Sequence, residues 1–133
     1  MGTPYFKVPL NLPHAGKIAG RLRYHVDRRL TVVQVDSVNL DPLFDGLDAL
    51  IELLEPCLVA EENPSDEAEA RALAEQSAKL GRELVAEIER LKLGDDRLGQ
   101  AVRNFFECLE LGEEGARISL RAGENPNSAL RPV

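Results

Sequence analysis

The first 38 residues alternate between apolar and polar positions with a period of two. The alternation covers three segments: residues 5–12, 17–26 and 30–38. This period, with β-branched residues concentrated in the third segment, is typical of half-buried β-strands. Pro9 and Pro13 restrict the first segment to an edge strand or an extended arm, because proline donates no backbone hydrogen bond. We therefore predict an N-terminal β-hairpin, which the first segment would extend to three strands.

An α-helix over residues 15–30 is the alternative interpretation of the same region. Apolar residues recur there at every fourth position: Ile18, Leu22, Val26 and Leu30. In this helix Tyr24 would point away from the apolar stripe, and Gly16 and Gly20 would each cost about 1 kcal/mol. The cost of the two glycines favours the hairpin.

From Asp41 onward the apolar residues recur with the period of an α-helix. Asp41 and Pro42 fit an N-cap followed by proline at the first helical position. We predict that this helix runs to about Glu55, where Pro56 ends or kinks it. Apolar and small residues cover most of its circumference, so we expect it to be buried on two sides.

Two further helices follow. Ser65 is predicted to cap a long helix over residues 65–93, which stops at Gly94. A third helix over residues 96–111 begins after a tight turn and stops at Gly112. Because the connector between these helices is short, they are expected to pack antiparallel.

The alternation returns near the C-terminus, where apolar and polar residues take turns over residues 116–121. This segment is predicted to be an edge strand that rejoins the sheet, and residues 123–133 to be a mobile tail. The predicted fold is therefore a single α+β domain over residues 1–122. In it, a small N-terminal antiparallel sheet of two or three strands packs on three helices.

The composition is that of a globular chain: 133 residues, 44% of them hydrophobic, with no tryptophan. No apolar run approaches the ~20 residues of a membrane span, and no apolar signal segment begins the chain. Cys57 and Cys108 are too few and too far apart for a secreted disulfide framework. These features predict a cytoplasmic protein with no membrane partner and two buried thiols.

Charge is distributed unevenly along the chain. Residues 1–29 hold six Lys or Arg and one acid, whereas residues 30–70 hold eleven acids and no Lys, Arg or His. In the first predicted helix, five acids fall on one stripe: Asp41, Asp45, Asp48, Glu52 and Glu55. Like charges at this spacing repel each other, and no cation is interspersed. The stripe is therefore predicted to dock on a basic protein surface, to mimic a phosphate backbone, or to face Arg21 and Arg23 of this chain.

A second charged surface would form if the hairpin is correct. Four side chains would then project from one strand face: Lys17, Arg21, Arg23 and His25. Such a row could follow a phosphate backbone. However, no aromatic residue shares that face, and the net charge of −7 argues against nucleic acid as a partner. The competing hypothesis is that these arginines pair with acids of this chain or of a second copy.

Catalytic motifs are not evident. His14 and His25 lack metal-ligand spacing, and no Cys-x-x-Cys or Gly-rich phosphate loop occurs, so neither metal nor cofactor is predicted. Carboxylates are so abundant that nominating any two as an acid–base pair carries little weight. A small enzyme with a carboxylate-based site is therefore only the third hypothesis.

The pattern favours a non-catalytic interaction protein, such as an adaptor, regulator or assembly factor, that uses the acidic stripe. A nucleic-acid-associated regulator that uses residues 17–25 is the alternative. Small residues also line one side of the helix over residues 65–93: Ala70, Ala74, Ala78 and Gly81. Because another helix could approach them closely, this helix is a candidate homodimer interface.

Overall fold

A computed structural model describes residues 8–33 and 39–120, and all regular secondary structure in these residues is helical. The helices are α1 (Leu12–Val32), α2 (Asp41–Ala60), α3 (Glu67–Arg90), α4 (Asp96–Cys108) and α5 (Gly112–Arg117). The predicted α+β fold is therefore wrong, because no strand forms in the described part of the chain. No helix in these residues combines the length and the apolarity needed to cross a membrane.

The predicted hairpin is replaced by α1, so the helical alternative for residues 15–30 is confirmed. Burial accounts for this outcome. Leu12, Ile18, Leu22 and Val26 are at most 3% exposed, and each is worth roughly 1.5–3 kcal/mol. That gain exceeds the cost of two helical glycines. Of the strand predicted over residues 30–38, residues 30–32 belong to α1 and residues 34–38 lie outside the described residues.

The start of α1 explains Pro13, one of the two prolines that had indicated an edge strand, whereas Pro9 precedes the helix. Pro13 lies in the first turn, where no intrahelical hydrogen bond from its nitrogen is needed. Asn11 caps the helix by accepting a hydrogen bond from the His14 amide at 3.1 Å. Asn63 then fastens this end to the connector after α2, accepting from the Leu12 amide at 2.8 Å and donating to the Leu10 carbonyl at 3.0 Å.

The helices α2, α3 and α4 were predicted correctly as helices, but their first or last residues differ from the predicted ones. Helix α2 continues past Pro56 to Ala60, with Glu61 in the left-handed region at φ 59°. Helix α3 is capped by Asp66 rather than Ser65. Helix α4 is capped by Asp95, whose carboxylate accepts from the Leu98 amide at 2.8 Å.

The predicted C-terminal edge strand is also wrong, because residues 112–117 form α5 and residues 118–120 are irregular. Without a sheet to join, this segment folds back on the helices. Arg82 of α3 donates two hydrogen bonds to Glu114 of α5, at 2.6 and 2.8 Å. This bidentate contact lowers the pKa of Glu114. The predicted tail, residues 123–133, lies outside the described residues.

Helix α1 packs against α2 and α4, α3 packs on α2 and more lightly on α4, and α5 packs on α4. Helices α1 and α2 are antiparallel, since Gly16 lies against Leu54 and Leu58 while Arg23 reaches Asp48. The small residues of α3 are buried within the chain, with Gly81 against the rings of Phe105 and Phe106. They are therefore already covered, and a homodimer through α3 would have to use its charged faces.

Candidate functional site

The acidic stripe, defined as Asp41, Asp45, Asp48, Glu52 and Glu55, lies on the solvent-facing side of α2. All five residues are exposed. The opposite side of the helix carries Leu43, Leu47, Leu50 and Leu54, which are fully buried. The 3.6-residue period thus places every carboxylate on one outer face.

One carboxylate of the stripe is paired within the chain. Asp48 accepts from the Arg23 guanidinium at 2.8 Å, with the two side chains 57% and 40% exposed. Arg23 also lies 4.9 Å above the Phe44 ring and 3.6 Å from Asp27. An ion pair this exposed contributes about 0.2–1 kcal/mol. We call this line of contact between α1 and α2 the seam.

The other four carboxylates of the stripe form no ion pair with any described residue. The sequence left open whether the stripe pairs with arginines of this chain, and the structure shows such a pair at one position. Arg23 reaches it at one position, and Arg21 does not form an ion pair there. The stripe thus retains a net negative face.

The four residues predicted on a basic strand face are separated by the helix. Lys17 and Arg21 are exposed on the outer side of α1, Arg23 turns to α2, and His25 is half-buried toward α4. At 100° per residue, Tyr24 and Arg28 fall within roughly 60° of Lys17 and Arg21. We call Lys17, Arg21, Tyr24 and Arg28 the basic face.

Sequence reasoning missed Tyr24 because a period of two places it opposite Lys17 and Arg21. It missed Arg28 because the predicted strand ended at residue 26. The recurrence at residues 17, 21, 24 and 28 is the helical signal that could have found them. Tyr24 is 62% exposed, so an aromatic ring does lie among the cations of this face.

His25 lies beside the basic face, where burial and three guanidinium groups oppose its protonation. Loss of solvent is the larger cause that lowers its pKa, and Arg28, Arg97 and Arg21 act in the same direction. Asp95 opposes them. The ring makes an edge contact with Tyr24 at 5.6 Å between centroids.

Acidification is expected to destabilise the fold through His25. Because its pKa is lower in the folded chain, the neutral ring stabilises the fold above the unfolded value of 6.5, and this is lost as pH falls through the folded pKa. Urea unfolding at about pH 7.5 and about pH 5.5 should show a fall in stability that His25→Gln reduces. The exposed His14→Gln substitution is the control. An equal fall in wild type and His25→Gln would contradict the assignment.

Arg29 is a structural anchor rather than a binding residue. Its guanidinium donates to the carbonyls of Leu93 and Gly94, at 2.8 and 3.2 Å, and lies 3.8 Å from Asp95. These contacts fasten the end of α1 to the connector between α3 and α4.

Both thiols are free and buried. Burial raises the pKa of Cys57 and raises that of Cys108 to about 11. A thiol with so high a pKa is a poor nucleophile near neutrality, because the thiolate is the reactive form.

The thiols are therefore expected to react slowly with a disulfide reagent in the folded protein. Absorbance after addition of Ellman's reagent should rise slowly under native conditions and promptly in denaturant. Prompt labelling of Cys108 in the folded protein would show that its burial is wrong.

A cleft of about 270 Å³ lies between α4 and the segment after α5, lined by Asp95, Gly99, Arg103, Ser119 and Leu120 among others. Two of its polar groups are engaged, since Asp95 caps α4 and Arg103 donates to the Ile118 carbonyl and to Gln100. In the part of the chain that the structure describes, no three His, Cys, Asp or Glu side chains are grouped to hold a metal.

Comparison of this chain with protein families, with curated proteins and with solved structures found no match.

Proposed function

We propose that this protein is a non-catalytic interaction protein whose acidic stripe engages a basic protein surface. It would act as an adaptor, regulator or assembly factor. We also propose a cytoplasmic location, because free thiols persist in reducing compartments.

The observation that carries this proposal is a row of four exposed carboxylates without an ion-pair partner among the described residues. Repulsion between acids four residues apart destabilises a helix by a few tenths of a kcal/mol for each pair. Helix α3 avoids that penalty, since its exposed face alternates in sign: Glu67, Arg71, Glu75, Lys79 and Glu83. A basic partner would relieve the repulsion in α2 and would be steered toward the stripe at long range.

Affinity capture from the source lysate tests the proposal. The tagged variant D45K/E52K should lose the proteins that wild type captures, and high salt should release them. Asp48 is left unchanged because it holds Arg23. The matched control is E75K/E83K, which changes the charge equally on the exposed face of α3. Capture of the same proteins by D45K/E52K and wild type would rule out docking on the stripe.

Nucleic-acid binding is the second candidate, because Tyr24 shares the basic face with Lys17 and Arg21. Base–aromatic stacking is worth about 1–3 kcal/mol, so Tyr24→Ala should weaken binding of a labelled single-stranded oligonucleotide by roughly 5- to 150-fold. R71A/K79A on α3 is the control for lost positive charge. Unchanged anisotropy titrations for both Y24A and K17A/R21A would exclude this candidate.

A further inference from the structure

We infer that the acidic stripe of one copy docks on the basic face of a second copy, through a two-fold interface formed by the outer sides of α1 and α2. This inference rests on the proposed function, since it names the basic surface that the stripe would engage.

The basic face and the acidic stripe are neighbours on the surface of one chain. Helices α1 and α2 are packed side by side, and both bury their inner sides in one core. Their outer sides therefore face the same direction, with the basic face on α1 and the acidic stripe on α2. The seam, where Arg23 meets Asp48, runs between them.

A two-fold axis can bring the two charged surfaces of two copies together. A two-fold axis that runs along the seam, parallel to both helices, places α1 of each copy over α2 of the other. Basic face then meets acidic stripe twice, as an isologous interface requires. A two-fold axis perpendicular to the helices and parallel to this surface would instead place α1 over α1 and α2 over α2. Like charges would then face each other.

The contacts between α1 and α2 within one chain determine which residues of the two copies face each other. Rotation about an axis parallel to the helices preserves each residue's height along them. Gly16 lies at the height of Leu54 and Leu58, and Arg23 lies at the height of Asp48. Because both helices rise equally per residue, the heights between these points can be interpolated. The charged pairs that result are Lys17 with Glu55, Arg21 with Glu52 and Arg28 with Asp45.

Two features of this surface favour a protein as the occupant. Gly20 is exposed, and a Cβ added there would meet nothing within 4 Å, although glycine weakens a helix interior. It lies between the basic face and the seam, where a second backbone would approach. Tyr24 and half-buried Phe44 add aromatic area, which is enriched at protein interfaces.

A second copy fits this surface better than nucleic acid does. A polyanion on the basic face would also approach the acidic stripe and a chain of net charge −7. A second copy brings both signs in matching order. It also does not need the small residues of α3, which are already buried.

The test is the mass in solution of the full chain, measured by light scattering, with charge-reversed variants. Wild type should have the mass of two chains at about 0.15 M salt, and of one chain at about 1 M, where the screening length is only about 3 Å. K17E/R21E and E52K/E55K should each have the mass of one chain at the lower salt. An equimolar mixture of the two variants should regain the mass of two chains. The reversed basic face of one variant then meets the reversed acidic stripe of the other, and the two unchanged surfaces also meet.

The matched control E75K/E83K should remain dimeric, and circular dichroism should confirm helicity in every variant. If a reversed variant unfolds, K17Q/R21Q replaces it and should shift the dimer toward single chains. A wild-type mass of one chain, reversed variants that still dimerise, or a mixture that stays monomeric would each overturn the inference. If wild type is monomeric and D45K/E52K still loses lysate partners, the proposed function stands and only the second copy is excluded.

Discussion

Phe106→Ala is expected to lower the free energy of unfolding by about 3–5 kcal/mol. Phe106 is fully buried, and its ring makes an edge contact with Phe105 at 5.7 Å between centroids. A Cβ added at Gly81 would lie 3.1 Å from the tip of this ring, and one added at Gly115 would lie 2.9 Å from the Phe106 Cβ. One side chain therefore fills the space between α3, α4 and α5, and its removal leaves a cavity that three elements would have to close.

The measurement is urea unfolding followed by circular dichroism. Since domains of this kind are stable by roughly 5–15 kcal/mol, the expected loss is a large fraction of the total. Val59→Ala is the control, because Val59 is 75% exposed and its truncation should change stability by at most about 0.5 kcal/mol. A loss below about 1 kcal/mol for Phe106→Ala would contradict the described packing.

Gly94→Ala is expected to destabilise the protein by about 1–3 kcal/mol. A Cβ at this position would lie 2.7 Å from the carbonyl oxygen of Leu120 and 2.8 Å from its carbonyl carbon. Both are backbone atoms, so no side-chain rotation can relieve the contact. The segment that carries buried Leu120 would have to move away, and the Gly94 carbonyl that accepts from Arg29 would shift with it.

The control for Gly94→Ala is Gly46→Ala, also a single added methyl group. Gly46 lies inside α2, and a Cβ there would meet nothing within 4 Å. Alanine should therefore stabilise the helix by up to about 1 kcal/mol. Thermal unfolding should show a lower midpoint for Gly94→Ala and a higher one for Gly46→Ala. Equal shifts would show that Leu120 does not pack across Gly94.

The helices after Asp41 were predictable from their apolar period, although two predicted caps were wrong. Leu40, which makes no side-chain cap hydrogen bond, precedes α2 in place of Asp41, and Asp66 caps α3 in place of Ser65. A wide apolar face, proline at the start and glycine or acids at the boundaries all indicate α2, α3 and α4. The end of α2 was harder to predict, because Pro56 removes one hydrogen bond and the turn after it still packs through Cys57. Local propensity there was outweighed by burial.

Helix α1 shows why the N-terminal prediction failed. A spacing of four is a multiple of two, so Ile18, Leu22 and Val26 fit a strand face and a helix face equally. Gly16 was counted only as a cost. In the structure α2 packs closely against it, with the Leu54 Cβ 3.3 Å from a Cβ placed there. That benefit depends on a neighbour some forty residues away in the sequence.

The two candidate surfaces differ in the same respect: the acidic stripe was predictable from the local sequence, and the basic face was not. The acidic stripe needed only the helical period, and its five residues are all exposed as one face. The residues that share the basic face depended on whether residues 17–28 form a strand or a helix. The partner of Arg23 depended on the packing of α1 against α2, which places Asp48 at 2.8 Å.

By itself the sequence determined which residues could form helices after Asp41, where those helices could begin, and that five acids would share one side of α2. Periodicity and capping are local, so they can be read without knowing the fold. Only the tertiary structure decided that residues 12–32 are helical, that residues 112–120 fold back on α3 and α4, and that Tyr24 joins Lys17 and Arg21. Each of these depends on burial against a distant segment, and local preference there was too weak to choose.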